Sequence, residues 1–376
     1  MRSHPLKIVS TLAFALITAT AFADPPILQT AFAGDEAGWS VVNITGQPVT
    51  GKVTVTHAPA HIKEGKGSLQ YDYTIKKGDS DLLLLPAGLG TLLHMKSLHF
   101  WIQADHPTSF LLIASEKDGG RYQTMINAPA GTWQEVNVAV ADLTLNQDEG
   151  SPKDPDGKLD VDQIEGIALI DADCYLAQIF GDAGGIVNLP GGLHTVYISP
   201  FTISDMELIS APPTAKGVQL LTPLLRPQVD WLVVGDASVQ KADEKPATGP
   251  SVKVSYKQTP GKLVALIKDV KPGQFTNTTQ MSFSFASKVP VTLLVQLEKS
   301  DGGKYNTMVP IAGGSVVKEV VLKFADFTRA DDSKDTDQKL DLPLVKRIMI
   351  ADASGLTATQ EQDNSLWFNH LQISGN

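Results

Sequence analysis

The stretch PTSFLLIASEKDGGRYQTM at residues 107–125 returns as PVTLLVQLEKSDGGKYNTM at residues 290–308. The match continues along the chain: AVADL (139–143) corresponds to KFADF (323–327), DPDGKLD (154–160) corresponds to DTDQKLD (335–341), and ALIDA (168–172) corresponds to MIADA (349–353). A repeat of this length is a duplicated domain, because solenoid units are only about 20–50 residues long. The sequence therefore predicts two copies of one module.

Each copy is built from short runs of alternating apolar and polar residues, with turn residues between them, and helical periodicity is scarce. The predicted strands include 52–56, 68–75, 98–104, 110–115, 134–140, 166–170 and 195–203 in the first copy, and 252–256, 281–286, 292–298, 318–324, 347–350 and 366–373 in the second. Many short strands with regular turns indicate an all-β fold, an antiparallel β-sandwich or jelly roll. The Asp118-Gly119-Gly120 turn predicts a hairpin, because glycine can adopt the positive φ of tight turns.

The duplication divides the chain into two domains. Ala211-Pro212-Pro213-Thr214 interrupts the strand pattern, and connectors that contain proline are semi-rigid. We predict jelly-roll domains at 24–210 and 218–376, with a linker at 211–217. The polar stretch 236–249 is expected to be a surface loop of the second domain.

Residues 1–23 have the pattern of a secretory signal peptide. A basic start with Arg2 and Lys7 precedes an apolar run at 8–22, which ends in the small-residue sequence Ala21-Phe22-Ala23. We expect cleavage after Ala23 and a secreted or periplasmic protein. The apolar run is too short for a membrane anchor, so no membrane insertion is expected.

Net charge and cysteine content argue against a nucleic-acid partner and exclude an intrachain disulfide. The 376 residues carry a formal net charge of -10, which argues against nucleic acid as a partner because nucleic-acid binding needs a basic face. Cys174 is the single cysteine, so no intrachain disulfide can form, and we interpret it as a packed thiol. The oligomeric state is left open by the sequence.

Catalytic motifs are missing from the sequence. It contains neither the G-x-S-x-G pattern of a nucleophile elbow nor the H-E-x-x-H pattern of a zinc protease. Paired carboxylates for glycoside hydrolysis are brought together only in space, so a glycan hydrolase stays open as the least favoured alternative. We expect a protein that is not an enzyme.

The acidic loop DPDGKLD resembles a calcium loop, because hard cations bind several carboxylates that lie close in sequence. Asp154, Asp156 and Asp160 are the candidate ligands, although their spacing does not fit an EF-hand. The alternative is a solvated turn that leads into a strand or a single helical turn. We therefore expect no cofactor, with calcium as the open alternative.

Sugar binding is the site chemistry that the residues suggest most directly. Aromatic rings stack on the C–H faces of sugars, and polar side chains bind the hydroxyls. Alternation along 121–127 places donors on one face of a strand. The candidate residues are Trp101, Trp133, Arg121, Gln123 and Asn127 in the first copy and Lys304 and Asn306 in the second. The alternatives are that the two tryptophans are packed in the hydrophobic core and that the donors lie on an outer sheet face that only contacts solvent.

The order of these features resembles the galactose-binding-like jelly rolls, above all the family-eleven-like carbohydrate-binding modules and the related domain of complex I intermediate-associated proteins. The resemblance rests on the strand at 67–71, the LHFWI strand at 98–102, the D-G-x-Y hairpin, the D-x-D-G-K-L-D loop and the closing V-Y-I-x-x-F-x-I strand. It covers most of both copies. It implies a jelly-roll fold and, as an expectation, carbohydrate as the ligand.

The chain departs from this family at both ends of its structural calcium site. Where such modules begin with Phe-Glu, this sequence has Phe32-Ala33 and roughly Leu221-Thr222, and where they close with Asp it has Ser199 and Asn369. We therefore expect a secreted, non-catalytic protein that binds a glycan or an envelope polysaccharide through one or both modules. The alternative is a structural or protein-interaction module of the cell envelope without a sugar site.

Overall fold

The computed structural model describes residues 26–74, 81–148, 150–174, 176, 192–209, 214 and 216–375. The first copy contains twelve strands among these residues: β1 (Leu28–Thr30), β2 (Ser40–Asn43), β3 (Lys52–Thr56), β4 (Ser68–Thr74), β5 (Asp81–Pro86), β6 (Ser97–Ala104), β7 (Thr108–Glu116), β8 (Arg121–Ala128), β9 (Gln134–Ala139), β10 (Thr144–Leu145), β11 (Ile164–Asp171) and β12 (Leu193–Ser204).

The second copy repeats the arrangement, again with twelve strands in the described part of the chain: β13 (Val218–Leu220), β14 (Leu232–Val234), β15 (Ala237–Ala242), β16 (Ser251–Gln258), β17 (Val264–Asp269), β18 (Gln280–Ser287), β19 (Val291–Lys299), β20 (Lys304–Ile311), β21 (Lys318–Lys323), β22 (Thr328–Arg329), β23 (Val345–Asp352) and β24 (Gln362–Ser374). Short 3₁₀ helices lie at Pro59–His61, Val140–Asp142, Val161–Gln163, Phe324–Asp326, Leu342–Leu344 and Ser354–Leu356.

The strands form four antiparallel sheets. Sheet A has the order β3-β4-β12-β6-β9, with β1 beside β12, and sheet B has the order β10-β8-β7-β11-β5-β2. Sheet C (β15-β16-β24-β18-β21, with β13 beside β24) and sheet D (β14-β17-β23-β19-β20-β22) repeat them. The predicted all-β fold of two tandem antiparallel β-sandwiches is confirmed.

Alternation along each strand builds one core in each sandwich. In β7, Phe110, Leu112 and Ala114 point into the core between sheets A and B. Trp39 and Trp231 occupy equivalent core positions of the two copies, 4% and 0% exposed. Cys174 is a buried thiol in the first core, as the sequence predicts.

The two sandwiches pack against each other through the outer faces of sheets B and D. Leu111 of β7 and Ile170 of β11 belong to the same buried apolar cluster as Leu232 of β14 and Ile267 of β17. The layers therefore follow the order A, B, D, C. Because sheets B and D are buried on both faces, their strands include runs of consecutive apolar residues such as Leu82–Leu85.

Charged groups complete this contact at its edge. Asp148 of the first copy accepts hydrogen bonds from Lys346 (2.8 Å) and Arg347 (3.1 Å) of the second. Arg347 also donates to Asp269 at 2.7 Å. Burial alone would raise the pKa of Asp148, but the positive charges of Arg347 and Lys346 hold it well below its usual range.

The predicted hairpin joins β7 to β8, and its equivalent joins β19 to β20. Gly119 and Gly302 adopt φ values of +116° and +86° in these turns, a conformation that L side chains rarely adopt. The same kind of turn in both copies explains why glycine is kept at both positions.

One prediction for the second domain is wrong. The polar stretch 236–249 is not all loop, because β15 lies within it and pairs with β16 from Ala237 to Ala242. An edge strand exposes one row of backbone groups and tolerates polar side chains, so its composition resembles that of a loop. The signal peptide and nearly all of the 211–217 linker lie outside the described residues, and the domain bounds stay predictions.

Among the described residues, no helix has both the length and the apolar character that crossing a membrane requires.

Candidate functional site

The outer face of sheet A carries aromatic and polar side chains in register across its strands. Tyr197 of β12 lies opposite Gln70 of β4 on one side and Gln103 of β6 on the other. Two residues along, Trp101 lies between Ser199 and Glu135. We call this surface the sheet A face.

Trp133 belongs to the same face. It directly precedes β9, whose register pairs Ile102 with Gln134, so the next position of the ladder sets Trp133 opposite Gln103. Alternation gives Trp133 the same side of the sheet as Trp101, and both are half-buried. The structure therefore places both sequence-predicted tryptophans on the sheet A face.

Residues 57–67, which connect β3 to β4, lie over part of the sheet A face. The His61 ring stacks on Tyr197, with a centroid separation of 4.0 Å and an angle of 8° between the planes. Lys63 Nζ lies 4.5 Å from the centroid of the Trp101 ring. Ser199 Oγ donates to the Glu64 carbonyl at 2.8 Å, which fixes the connection on the sheet.

Carboxylates on the face are held by neighbouring donors. Asp72 accepts hydrogen bonds from Gln70 Nε2 (2.9 Å) and Thr195 Oγ1 (2.7 Å). Glu135 accepts one from Asn137 Nδ2 at 3.2 Å. These contacts set the direction of the remaining lone pairs, so the face presents oriented acceptors beside its aromatic rings.

The other sequence-predicted donors lie elsewhere. Arg121, Gln123 and Asn127 line the outer face of sheet B, where the second sandwich packs. Gln123 and Asn127 are buried, and they donate to Asp269 (2.8 Å) and to the carbonyl of Trp231 (3.0 Å) in the second copy. Only Arg121 is exposed. The row therefore contributes to the contact between the sandwiches.

In the second copy, Lys304 and Asn306 lie at the start of β20, on the outer face of sheet D. Lys304 Nζ contacts Asp332 Oδ2 at 2.5 Å. They are remote from the outer face of sheet C, where Trp367 of β24 occupies the position equivalent to Tyr197. Trp367 is 8% exposed and contacts Glu244 and Lys253.

In the acidic loop at 154–160, two of the predicted calcium ligands already accept hydrogen bonds from protein groups. Tyr122 Oη donates to Asp154, which also accepts from the Asp156 N–H at 3.1 Å. Asp156 in turn accepts from the Lys158 N–H at 2.9 Å, and Asp160 is exposed. These contacts are those of a turn, and the calcium alternative stays a prediction.

Glu116 is buried beside this loop. Its Oε1 accepts the Asp160 N–H, and its Oε2 has no hydrogen-bond partner among the described residues. Burial raises the pKa of Glu116 to about 7; the Asp160 N–H opposes the rise, and the charges of Asp118 and Asp154 add to it. This group was not predicted from the sequence, because an acidic residue at the end of a strand usually faces water.

A hydrogen-bonded tyrosine–aspartate pair recurs at one end of each sandwich. Tyr73 Oη donates to Asp171 at 2.6 Å, and Tyr256 Oη donates to Asp352 at 2.5 Å. Beside the second pair lies a cavity of about 230 Å³, lined by residues that include Gln258. Burial and the neighbouring carboxylates raise the pKa of both tyrosines, so neither is a proton acceptor near neutral pH.

No protein-family model and no curated protein sequence matches the chain. Among solved structures, it is similar to a family 11 carbohydrate-binding module from Clostridium thermocellum, solved with a β-1,3-1,4-mixed-linked tetrasaccharide. The identity is 17% and the TM-score 0.35, over 43% of this chain and 98% of that one.

Other similar structures include a tandem family 22 module pair and an enzyme. The N-terminal tandem CBM22 domain of Xyn10C from Paenibacillus barcinonensis has 13% identity and a TM-score of 0.29, over 95% of this chain and 99% of that one. An exo-β-agarase has 10% identity and a TM-score of 0.29, over 44% of this chain and 24% of that one. Family 11 modules, which the sequence pattern resembles, are thus among the similar structures. Similarity at this level carries no conclusion about the ligand of this chain.

Proposed function

We propose that the chain is a non-catalytic carbohydrate-binding protein and that its binding site is the sheet A face of the first sandwich. One observation carries the proposal: Trp101 and Trp133 lie on the same face, beside Tyr197 with its stacked His61 ring, and amide and carboxylate side chains lie in register between them. Rings of this kind stack on the apolar faces of a sugar, and the polar groups between them bind its hydroxyls.

The face offers both hydrogen-bond donors and acceptors, as the hydroxyls of a polyol require. The indole N–H of Trp101 is buried and has no hydrogen-bond partner in the described part of the chain. A sugar hydroxyl could accept it once Lys63 moves off the ring, since Lys63 is exposed and its side chain is long. A buried donor gains a full hydrogen bond when a ligand satisfies it.

The first sandwich alone carries this constellation. At the equivalent positions, the second copy has Ser284 in place of Trp101 and about Val317 in place of Trp133. The sheet A and sheet C faces also form opposite ends of the four-layer stack, so one ligand cannot contact both sheets at once. We therefore propose one sugar site per chain, with the second sandwich as a packed support.

The proposal includes export of the protein from the cytoplasm. The signal-peptide pattern of residues 1–23 supports a secreted or periplasmic location, where polysaccharides are accessible. The proposed partner is a glycan of the envelope or of the surroundings.

An array of soluble and insoluble polysaccharides, probed with the chain from residue 24 onward, tests the proposal. We expect retention on at least one glycan, and we expect Trp101→Ala and Trp133→Ala each to weaken it by about tenfold or more. Arg121→Ala is the matched control, because Arg121 is the exposed residue of the sheet B row. Loss of retention in Arg121→Ala alone would move the site to that row, and no retention on any glycan by the folded protein would reject sugar binding.

A further inference from the structure

At the end of the first sandwich, two histidines and an aspartate converge. His106 Nδ1 lies 2.6 Å from Asp105 Oδ1 and 2.9 Å from His194 Nδ1. All three ligand atoms lie within 4.8 Å of one another, and no other group of three His, Cys, Asp or Glu residues in the described part of the chain does this. His194 is buried, His106 is half-buried and Asp105 is exposed.

The contacts of His106 are difficult to satisfy with protons alone. A neutral imidazole nitrogen carries either one proton or one lone pair. If His106 Nδ1 carries a proton, Asp105 and His194 compete for that single proton. If it accepts from His194, its lone pair faces the carboxylate of Asp105. A cation at the meeting point of the three ligand atoms would satisfy all of them together.

The backbone holds these residues in place. The Asp105 N–H donates to the Thr195 carbonyl at 3.0 Å, which joins the end of β6 to the start of β12. Thr108 Oγ1 donates to the His106 carbonyl at 3.1 Å. These contacts hold the ends of the two strands, and with them the three ligand residues, side by side.

In the second copy, the position equivalent to this cluster is held by hydrogen bonds between residues that do not bind metals. Its residues are Lys288 and Val289 in place of Asp105 and His106, and Asn364 in place of His194. Asn364 Nδ2 donates to Tyr256 Oη at 2.8 Å, and Asn364 Oδ1 accepts the Val289 N–H at 3.3 Å. The two positions are in contact in both copies, but only the first copy has metal-ligating side chains there.

We propose that Asp105, His106 and His194 bind one divalent transition-metal ion, Zn²⁺ among the common ones. Two imidazole nitrogens and one carboxylate oxygen are donors that Zn²⁺ accepts, and they leave a fourth position for water. Ca²⁺ and Mg²⁺ prefer oxygen ligands throughout. The ion would tie the end of β6 to the start of β12. This site is independent of the sugar-binding proposal.

Titration of ZnCl₂ into chelator-treated protein, followed by calorimetry, tests the site. We expect one Zn²⁺ per chain, with no competition from Ca²⁺. His194→Asn and His106→Val install the residues of the second copy, which folds with them, and each should weaken Zn²⁺ binding by at least about 100-fold, because loss of even an outer-sphere partner typically costs 10–100-fold. His57→Asn is the control, since His57 is an exposed histidine of the 57–67 connection.

Thermal unfolding with and without ZnCl₂ gives a second readout. Zn²⁺ should raise the melting temperature of the unchanged protein and of His57→Asn, but not that of His194→Asn or His106→Val, because a ligand stabilises only the state that binds it. Absence of stoichiometric binding by folded protein would overturn the proposal. Equal Zn²⁺ affinity in His106→Val and the unchanged protein would overturn it as well.

Discussion

Glu116 and Lys299 occupy the same position of the two copies, and both are buried although their charges are opposite. Lys299 Nζ contacts Asp337 at 3.0 Å, Asp301 at 3.1 Å and Asp335 at 3.3 Å. Burial alone would lower the pKa of Lys299, but these carboxylates raise it above its usual value. Glu116 lies beside the equivalent acidic loop without any such cation among the described residues.

Lys299→Met should destabilise the second sandwich by about 3 kcal/mol, because removing one partner of a buried ion pair leaves the other charges uncompensated. Urea unfolding measures the free energy. Lys304→Met is the control, since its partner Asp332 is 66% exposed and exposed ion pairs contribute about 0–1 kcal/mol. Equal losses in the two variants would contradict the role of Lys299.

Glu116→Gln should stabilise the first sandwich above neutral pH. The pKa of Glu116 is about 4.3 in the unfolded chain, its ordinary value, and about 7 in the folded chain. Between these two pH values the folded chain holds the proton and the unfolded chain does not. The folded state binds more protons in this window, so the free energy of unfolding of the unchanged protein falls as pH rises through it. Above about pH 7, Glu116→Gln should be more stable than the unchanged protein by about 3 kcal/mol, because each unit of pKa difference corresponds to about 1.4 kcal/mol.

Urea unfolding at several pH values between about 4 and 8 measures this difference. Glu165→Gln, an exposed residue of β11, is the control and should give a constant difference across the window. A constant difference for Glu116→Gln too would show that Glu116 ionises normally in the folded protein.

Asp148→Asn should weaken the contact between the two sandwiches by about 1.5–3 kcal/mol, the range for hydrogen bonds to charged groups. Because the pKa of Asp148 is lowered in the folded protein, its contribution is complete above the unfolded value of about 3.9 and is lost as pH falls further. Urea unfolding of both proteins should therefore give a constant difference at higher pH that shrinks in acid.

Glu207→Gln provides the comparison for Asp148, because Glu207 pairs with Lys96 at 3.4 Å and its side chain is 81% exposed. We expect it to change the free energy of unfolding by less than about 1 kcal/mol. A loss for Asp148→Asn no larger than this would show that the charged edge contributes little to the contact between the sandwiches.

The strands, the hairpins and the duplication could be predicted from the sequence because they follow from local rules. Alternation in β7 and β8 and the glycines at 119 and 302 specify each hairpin without knowledge of its neighbours. The contact between sheets B and D was not predicted. Runs such as 82–85 are typical of strands that are buried on both faces, but a run does not say which surface covers it.

The residues of the candidate site were predicted in part. Trp101 and Trp133 share a face, but that depends on the pairing of β6 with β9, which sequence alone does not give. Gln123 and Asn127 alternate as predicted, yet the side they share faces the second sandwich. The histidine cluster was missed because His106 and His194 are far apart in the chain and meet only through the neighbouring strands β6 and β12.

The central claim is that a sugar binds the sheet A face of the first sandwich. Its most direct test is a titration of ¹⁵N-labelled protein with an oligosaccharide of the glycan that the array retains, followed by NMR. We expect the largest changes at the indole N–H signals of Trp101 and Trp133, assigned with Trp101→Phe and Trp133→Phe, and none at that of the core residue Trp231. Changes confined to Arg121 and the β8 row, or a folded protein that no glycan perturbs, would contradict the account.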